Sequence, residues 1–101
     1  MTENQWRHDV LRLARQYGWS HYYTHYSPYS TPGWPDLTLV KPPLVVVAEL
    51  KAKRGRLRPE QATARDLLAQ CERVEYHLWR PDDLEDVAEV LGVTLRQGRL
   101  L

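Results

Sequence analysis

The feature that most constrains this chain is an apolar run that ends in charge: Leu44, Val45, Val46, Val47 and Ala48 lead directly into Glu49, Leu50 and Lys51. Valine in such density reads as a strand buried on both faces. In a strand, residues two apart share a side, so Glu49 and Lys51 project together with alpha carbons roughly 6.6 Å apart. Charges at the end of a core strand are costly unless they are paired or bound to metal. Before the run stand Pro42 and Pro43, and before them a second short strand, Asp36 to Val40. That gap is too short for a crossover helix, so the two strands form an antiparallel hairpin. A turn centred on Pro42 puts Asp36 across from Ala48 and diagonally beside Glu49.

Two carboxylates and one ammonium thus gather at one end of a hairpin. A plain ion pair between Glu49 and Lys51 is one reading. The other is a divalent-cation site, because neighbouring carboxylates repel and a shared cation removes that penalty. Oxygen-only ligation favours Mg2+ or Mn2+ over zinc. The chemistry that fits is phosphodiester hydrolysis, with Lys51 holding the attacking water or neutralising phosphoryl oxygens. One metal or two is left open.

The rest of the chain supplies a setting. Thr2 to Tyr17 reads as a helix, with Thr2 and Gln5 at capping-box spacing, Trp6, Val10, Leu13 and Tyr17 on one stripe, and Gly18 beyond its end. Trp19 to Tyr26 is an aromatic strand, and Ser27 to Pro35 a loop broken by prolines and Gly33. After a basic loop, Pro59 takes the first position of a second helix, with Ala64, Leu67, Leu68 and Cys71 as its apolar stripe. Arg58 before it is a poor cap, having no acceptor. Arg73 to Trp79 is a further strand, and a box of Asp82 and Glu85 opens a last helix that Gly92 closes. Val93 to Leu101 adds a short strand or a loose tail. The expected class is α/β: a mixed sheet flanked by helices, in the order helix, three strands, helix, strand, helix, with the second helix as a crossover.

A chain of 101 residues supports one domain, and an enzyme this small often borrows surface from a second copy, which leaves a homodimer open. The net charge of +1 excludes a uniformly basic nucleic-acid coat. The distribution is more informative than the sum: Lys51, Lys53, Arg54, Arg56 and Arg58 crowd one loop, whereas Asp82 to Glu89 holds five acids and no base. Lys53, Arg54, Arg56 and Arg58 read as phosphate contacts or as a solvated loop. His21, Tyr22, Tyr23, His25, Tyr26 and Tyr29 make an aromatic and imidazole-rich region, suited to base stacking or a phosphate contact, or else to packing and hydrogen bonding. Trp6, Trp19 and Trp79 read as core, and Trp34 as a brace or a substrate contact. The one cysteine, Cys71, excludes an intrachain disulfide and reads as a buried thiol. No run reaches the ~20 apolar residues of a membrane span, so no membrane role is expected and a cytoplasmic protein is the default.

Gly33-Trp34-Pro35-Asp36-Leu37, Ala48-Glu49-Leu50-Lys51, Gly55-Arg56-Leu57 and Pro59-Glu60-Gln61, taken in order, resemble the VRR-NUC branch of the PD-(D/E)xK nuclease superfamily. The resemblance covers nearly the whole chain and implies a restriction-endonuclease-like core. It implies Asp36 and Glu49 as metal ligands, with the Leu50 carbonyl completing the shell and Glu3 approaching from the first helix. Lys51 is then the catalytic lysine, and Gln61 positions water or phosphate. Arg58 departs from the pattern, since relatives carry Ser or Thr there. DNA is the implied substrate, branched and Holliday-junction DNA included, and small members of this kind are typical of phages and prophages in a bacterial host. The competing readings are a catalytically silent nucleic-acid-binding or scaffold protein, and an accessory subunit working with phage replication or recombination proteins.

Overall fold

A computed structural model of the chain describes the backbone of residues 1–100 and the side chains of residues 1–92. The elements are α1 (Glu3–Gln16), β1 (Ser20–Tyr23), β2 (Leu37–Lys41), β3 (Leu44–Leu50), α2 (Pro59–Leu68), β4 (Glu75–Trp79), a single 3-10 turn (Pro81–Asp83) and α3 (Leu84–Leu100). The four strands form one mixed sheet in the order β1-β2-β3-β4. The first two pairings are antiparallel and the last is parallel, with α2 as the crossover. The expected class and element order both hold. None of the described helices is long and apolar enough to cross a membrane.

Alternation along β3 divides the molecule. Val46, Ala48 and Leu50 face one way and join Leu37 and Leu39 of β2, Trp79 of β4, Trp6, Val10, Leu11 and Ala14 of α1, and Val87 and Leu91 of α3 in the main core. The three expected core tryptophans are all there, and their indole N–H groups are satisfied. Trp6 donates to the Trp79 carbonyl at 3.0 Å, Trp19 to the Leu91 carbonyl at 3.1 Å, and Trp79 to the Asp86 carboxylate at 3.2 Å. Val47 and Glu49 face the other way, under α2, where Leu68 and Gln61 are the buried side chains of the helix.

α1 starts as expected. Thr2 Oγ1 accepts from Gln5 N at 3.1 Å, and Gln5 Oε1 accepts from Thr2 N at 2.7 Å. Gly18, with φ of +83°, turns the chain into β1.

Five expectations need correction. The hairpin register is one residue different: Leu37 opposes Ala48, because Pro42 and Pro43 together form a two-residue turn closed by Lys41 and Leu44. Asp36 therefore lies one step beyond β2, level with Glu49. β1 is half as long as the aromatic run, and His25 and Tyr26 fall in the following loop. The α2 stripe is largely solvent-facing: Leu67 is 63% exposed and Cys71 lies past the helix end with its thiol exposed, since α2 covers the sheet mainly through its first turn and Leu68. Ahead of α3 the capping carboxylate is Asp83, which accepts from Arg80 N at 2.7 Å, so the expected pair of Asp82 and Glu85 is displaced by two residues. Gly92 does not end α3, whose backbone continues to Leu100 in place of a strand or tail; it faces the Tyr17 ring of α1. Leu101 lies outside the described residues.

Candidate functional site

The site forms where the β2–β3 hairpin opens, between the first turns of α1 and α2. Asp36 is held from both sides. Thr24 N donates to the Asp36 carbonyl at 2.8 Å and Thr24 Oγ1 to the Pro35 carbonyl at 2.7 Å. On the other flank Leu50 N donates to Asp36 Oδ2 at 2.9 Å. That bond continues the ladder in which β3 turns toward β2, using a side chain where the β2 backbone has ended. In an antiparallel ladder a residue's N–H and C=O point to the same neighbour, so the Leu50 carbonyl is directed toward the same place. Lys51 N meanwhile donates to the Trp79 carbonyl at 3.1 Å and extends the parallel ladder with β4.

Glu49 is 2% exposed. Its Oε2 accepts from Gln61 Nε2 at 3.1 Å and lies 3.8 Å from Lys51 Nζ. Its Oε1 is buried with no hydrogen-bond partner. Burial raises the proton affinity of this carboxyl, and the nearby Asp36 charge adds to the effect. Lys51 opposes it and Glu3 adds a smaller rise, leaving the group at about 8. A buried anionic oxygen with no donor is the chemistry of a cation ligand. The residues thus fit a divalent ion, and Asp36, Glu49 and the Leu50 carbonyl are the groups that would hold it.

Glu3 lines one cleft with Asp36 and Leu50. Among the described residues no set of three or more Asp, Glu, His or Cys side chains is disposed to hold a metal ion. An ion held by Asp36, Glu49 and the Leu50 carbonyl would take the rest of its shell from water.

Gln61 does two things at once. Its Nε2 fixes Glu49, and its Oε1 accepts from Arg58 N at 2.8 Å, satisfying an amide at the start of α2. That is the half of a capping box which does not depend on Arg58, whose side chain has no acceptor. Lys53, Arg54, Arg56 and Arg58 are all exposed. Their loop is anchored by Arg80, which donates to the Gly55 carbonyl at 2.7 Å, and Gly55 lets the chain fold back beside Lys51.

Four residues the sequence reading did not single out belong to this site. Arg7, one helical turn from Glu3, lines the Asp36 cleft with its guanidinium 4.4 Å from the centre of the Tyr23 ring. The i, i+4 spacing from Glu3 was the available signal. Thr24 and Arg80 act through backbone bonds that no local pattern discloses. Tyr76 of β4 shares the α2 side of the sheet with Glu49. Its hydroxyl is buried without a partner and is pushed up to about 12 by burial and by the nearby Glu49 charge. His77, expected at a surface or edge, is half-buried and stacked on Trp79 at 5.0 Å.

Compared with known proteins, the chain matches no protein-family model, and no curated protein or solved structure is similar to it.

Proposed function

We propose that this chain is a divalent-metal-dependent endonuclease that hydrolyses DNA phosphodiester bonds, branched DNA among them, on a restriction-endonuclease-like core of the VRR-NUC kind. The observation that carries the reading is Glu49: a buried carboxyl facing Asp36, with one oxygen held by Gln61 and approached by Lys51 and the other without a partner. A structural ion pair would satisfy both oxygens; a ligand keeps one in reserve.

Asp36, Glu49 and the Leu50 carbonyl would hold the Mg2+ or Mn2+, which would supply Lewis-acid polarisation of the phosphate and a more acidic water. Lys51 keeps its ammonium beside Glu49 and, at 14% side-chain exposure, retains a path to solvent and substrate. It offsets negative charge that grows on the phosphoryl oxygens in the transition state. Gln61 orients Glu49 and so acts as a positioning residue. Arg7 and the loop carrying Lys53, Arg54 and Arg56 supply positive charge on either flank for the DNA backbone.

The test is a cleavage panel of single-stranded, duplex, flapped and four-way DNA with manganese or with chelator. Wild type cleaves at least one substrate with manganese and none with chelator. Asp36→Ala and Lys51→Ala lose at least ~100-fold of that activity while keeping the wild-type circular dichroism spectrum. Equal cleavage by wild type and either variant would sink the proposal.

A further inference from the structure

Asp36 lines two clefts. One, already described, holds Glu3, Arg7 and Leu50; the other opens on the α2 side and holds His25, Tyr26, Trp34, Arg58 and Gln61. This second groove has a different character. Tyr26 is 69% exposed and Trp34 50% exposed, both on the loop between β1 and β2. Rings at that exposure add little to the core. The Trp34 indole N–H reaches Thr38 Oγ1 at 3.4 Å, so the polar edge is used while half of the side chain stays exposed. The Arg58 guanidinium stands 5.6 Å from the centre of the Tyr26 ring. Its ion pair with Glu60 at 3.3 Å lies at the surface, where such pairs are weak and a phosphate readily displaces them.

The loop that presents these rings is tied down. Gly33 has φ of +109° and packs so closely on α2 that an added Cβ would lie 2.5 Å from the Glu60 carbonyl oxygen. Thr24 bonds the backbone of Pro35 and Asp36. The backbone on either side of Trp34 is thus anchored beside Asp36 before any ligand arrives, which lowers the ordering penalty of binding.

We infer that this groove is a stacking subsite for one unpaired nucleotide of the DNA strand beside the scissile phosphate, with Tyr26 and Trp34 against the base and Arg58 on a neighbouring phosphate. The inference deepens the nuclease reading and rests on it for the location of the scissile bond. Bases inside a duplex already have both faces covered by neighbours, so open rings gain little from them. An unpaired base at a flap, bulge or junction offers a free face, and stacking on aromatic side chains is the common way to hold it. Arginine beside the rings adds charge for the backbone and a cation for the π face. The groove therefore selects for departure from duplex structure rather than for sequence.

The experiment follows 2-aminopurine fluorescence in oligonucleotides titrated with protein in chelator, so that no cleavage occurs. The probe base sits in a single strand, at a flap junction or within a blunt duplex. Wild type quenches the unpaired probes and leaves the duplex probe unchanged. Tyr26→Ala and Trp34→Ala each weaken binding of the unpaired probes by roughly 10-fold or more and change duplex affinity by less than about 2-fold, whereas Trp34→Phe restores most of the loss.

Equal losses on unpaired and duplex DNA overturn the inference, as does wild-type affinity in both ring variants. So does a Trp34→Ala protein that binds DNA normally but changes its sedimentation state, which would assign the ring to a protein contact. The two readings separate cleanly. Cleavage with manganese together with ring-independent binding removes the subsite alone; ring-dependent quenching in a protein that cleaves nothing removes the nuclease reading alone.

Discussion

The two faces of the sheet are built to different ends. Under α1 and α3 the core is dry and closed: three tryptophans and ten smaller apolar residues, each indole N–H bonded, and several side chains fully inaccessible. Under α2 the buried hydrophobic residues are Val47 and Leu68, and beside them lie Glu49, Gln61 and the unpartnered Tyr76 hydroxyl. The first face gains free energy from area removed from water; the second gives some back by burying polar atoms that folding alone does not satisfy. In so small a chain the hairpin is common to both faces, and residues one apart, Ala48 and Glu49, serve opposite purposes.

The comparison breaks most visibly at its strong end. Trp6→Ala removes a side chain that is 1% exposed and bonded to the Trp79 carbonyl, and should lower stability by about 3–5 kcal/mol in urea unfolding. A loss below ~1 kcal/mol would mean that the α1/α3 face is not the stabilising layer.

The α2 face responds to pH instead. The Glu49 carboxyl takes up its proton at about 8 in the folded chain, against 4.5 when unperturbed, chiefly through burial. The folded state then binds more protons than the unfolded state between those values. Its contribution is fully present below 4.5 and is lost as pH rises through about 8. In chelator, the melting temperature should therefore fall as pH rises across that window, and Glu49→Gln should flatten the slope. A wild-type slope unchanged by Glu49→Gln would remove the account of the buried carboxyl.

The smallest effects belong to the outer side of α2. Leu67→Ala should change stability by no more than ~0.5 kcal/mol, given 63% exposure. Cys71, with its thiol exposed, should react with a thiol reagent in the folded protein as fast as in denaturant; strong protection would place it back under the helix.

These contrasts explain what was legible in the sequence. The apolar β3 run, the flanking turn and the capping box of α1 are local patterns with one physical solution, and they predicted the sheet, the element order and the meeting of Asp36 with Glu49. The register was off by one because a two-residue turn and a turn centred on one residue differ by a step that composition does not resolve. α2 was misjudged because Leu67 and Cys71 are apolar at helical spacing, yet how much of a helix is covered depends on the width of the sheet beneath it. Gly92 reads as a stop by composition but is occupied with packing against Tyr17. Thr24, Arg80 and the second role of Gln61 were illegible, since each works through a tertiary hydrogen bond to a distant backbone or side chain.

The central claim is that Asp36 and Glu49 share a cation, and a thermal-shift titration with Mn2+ at pH 8 tests it most directly. Binding to the folded state alone raises stability by about 2.7 kcal/mol at a hundredfold excess over Kd, so wild type should show a saturable rise in melting temperature. Asp36→Asn and Glu49→Gln, which keep the shape and remove the charge, should show none. A rise of equal size in all three proteins, or no rise in wild type, would contradict the claim.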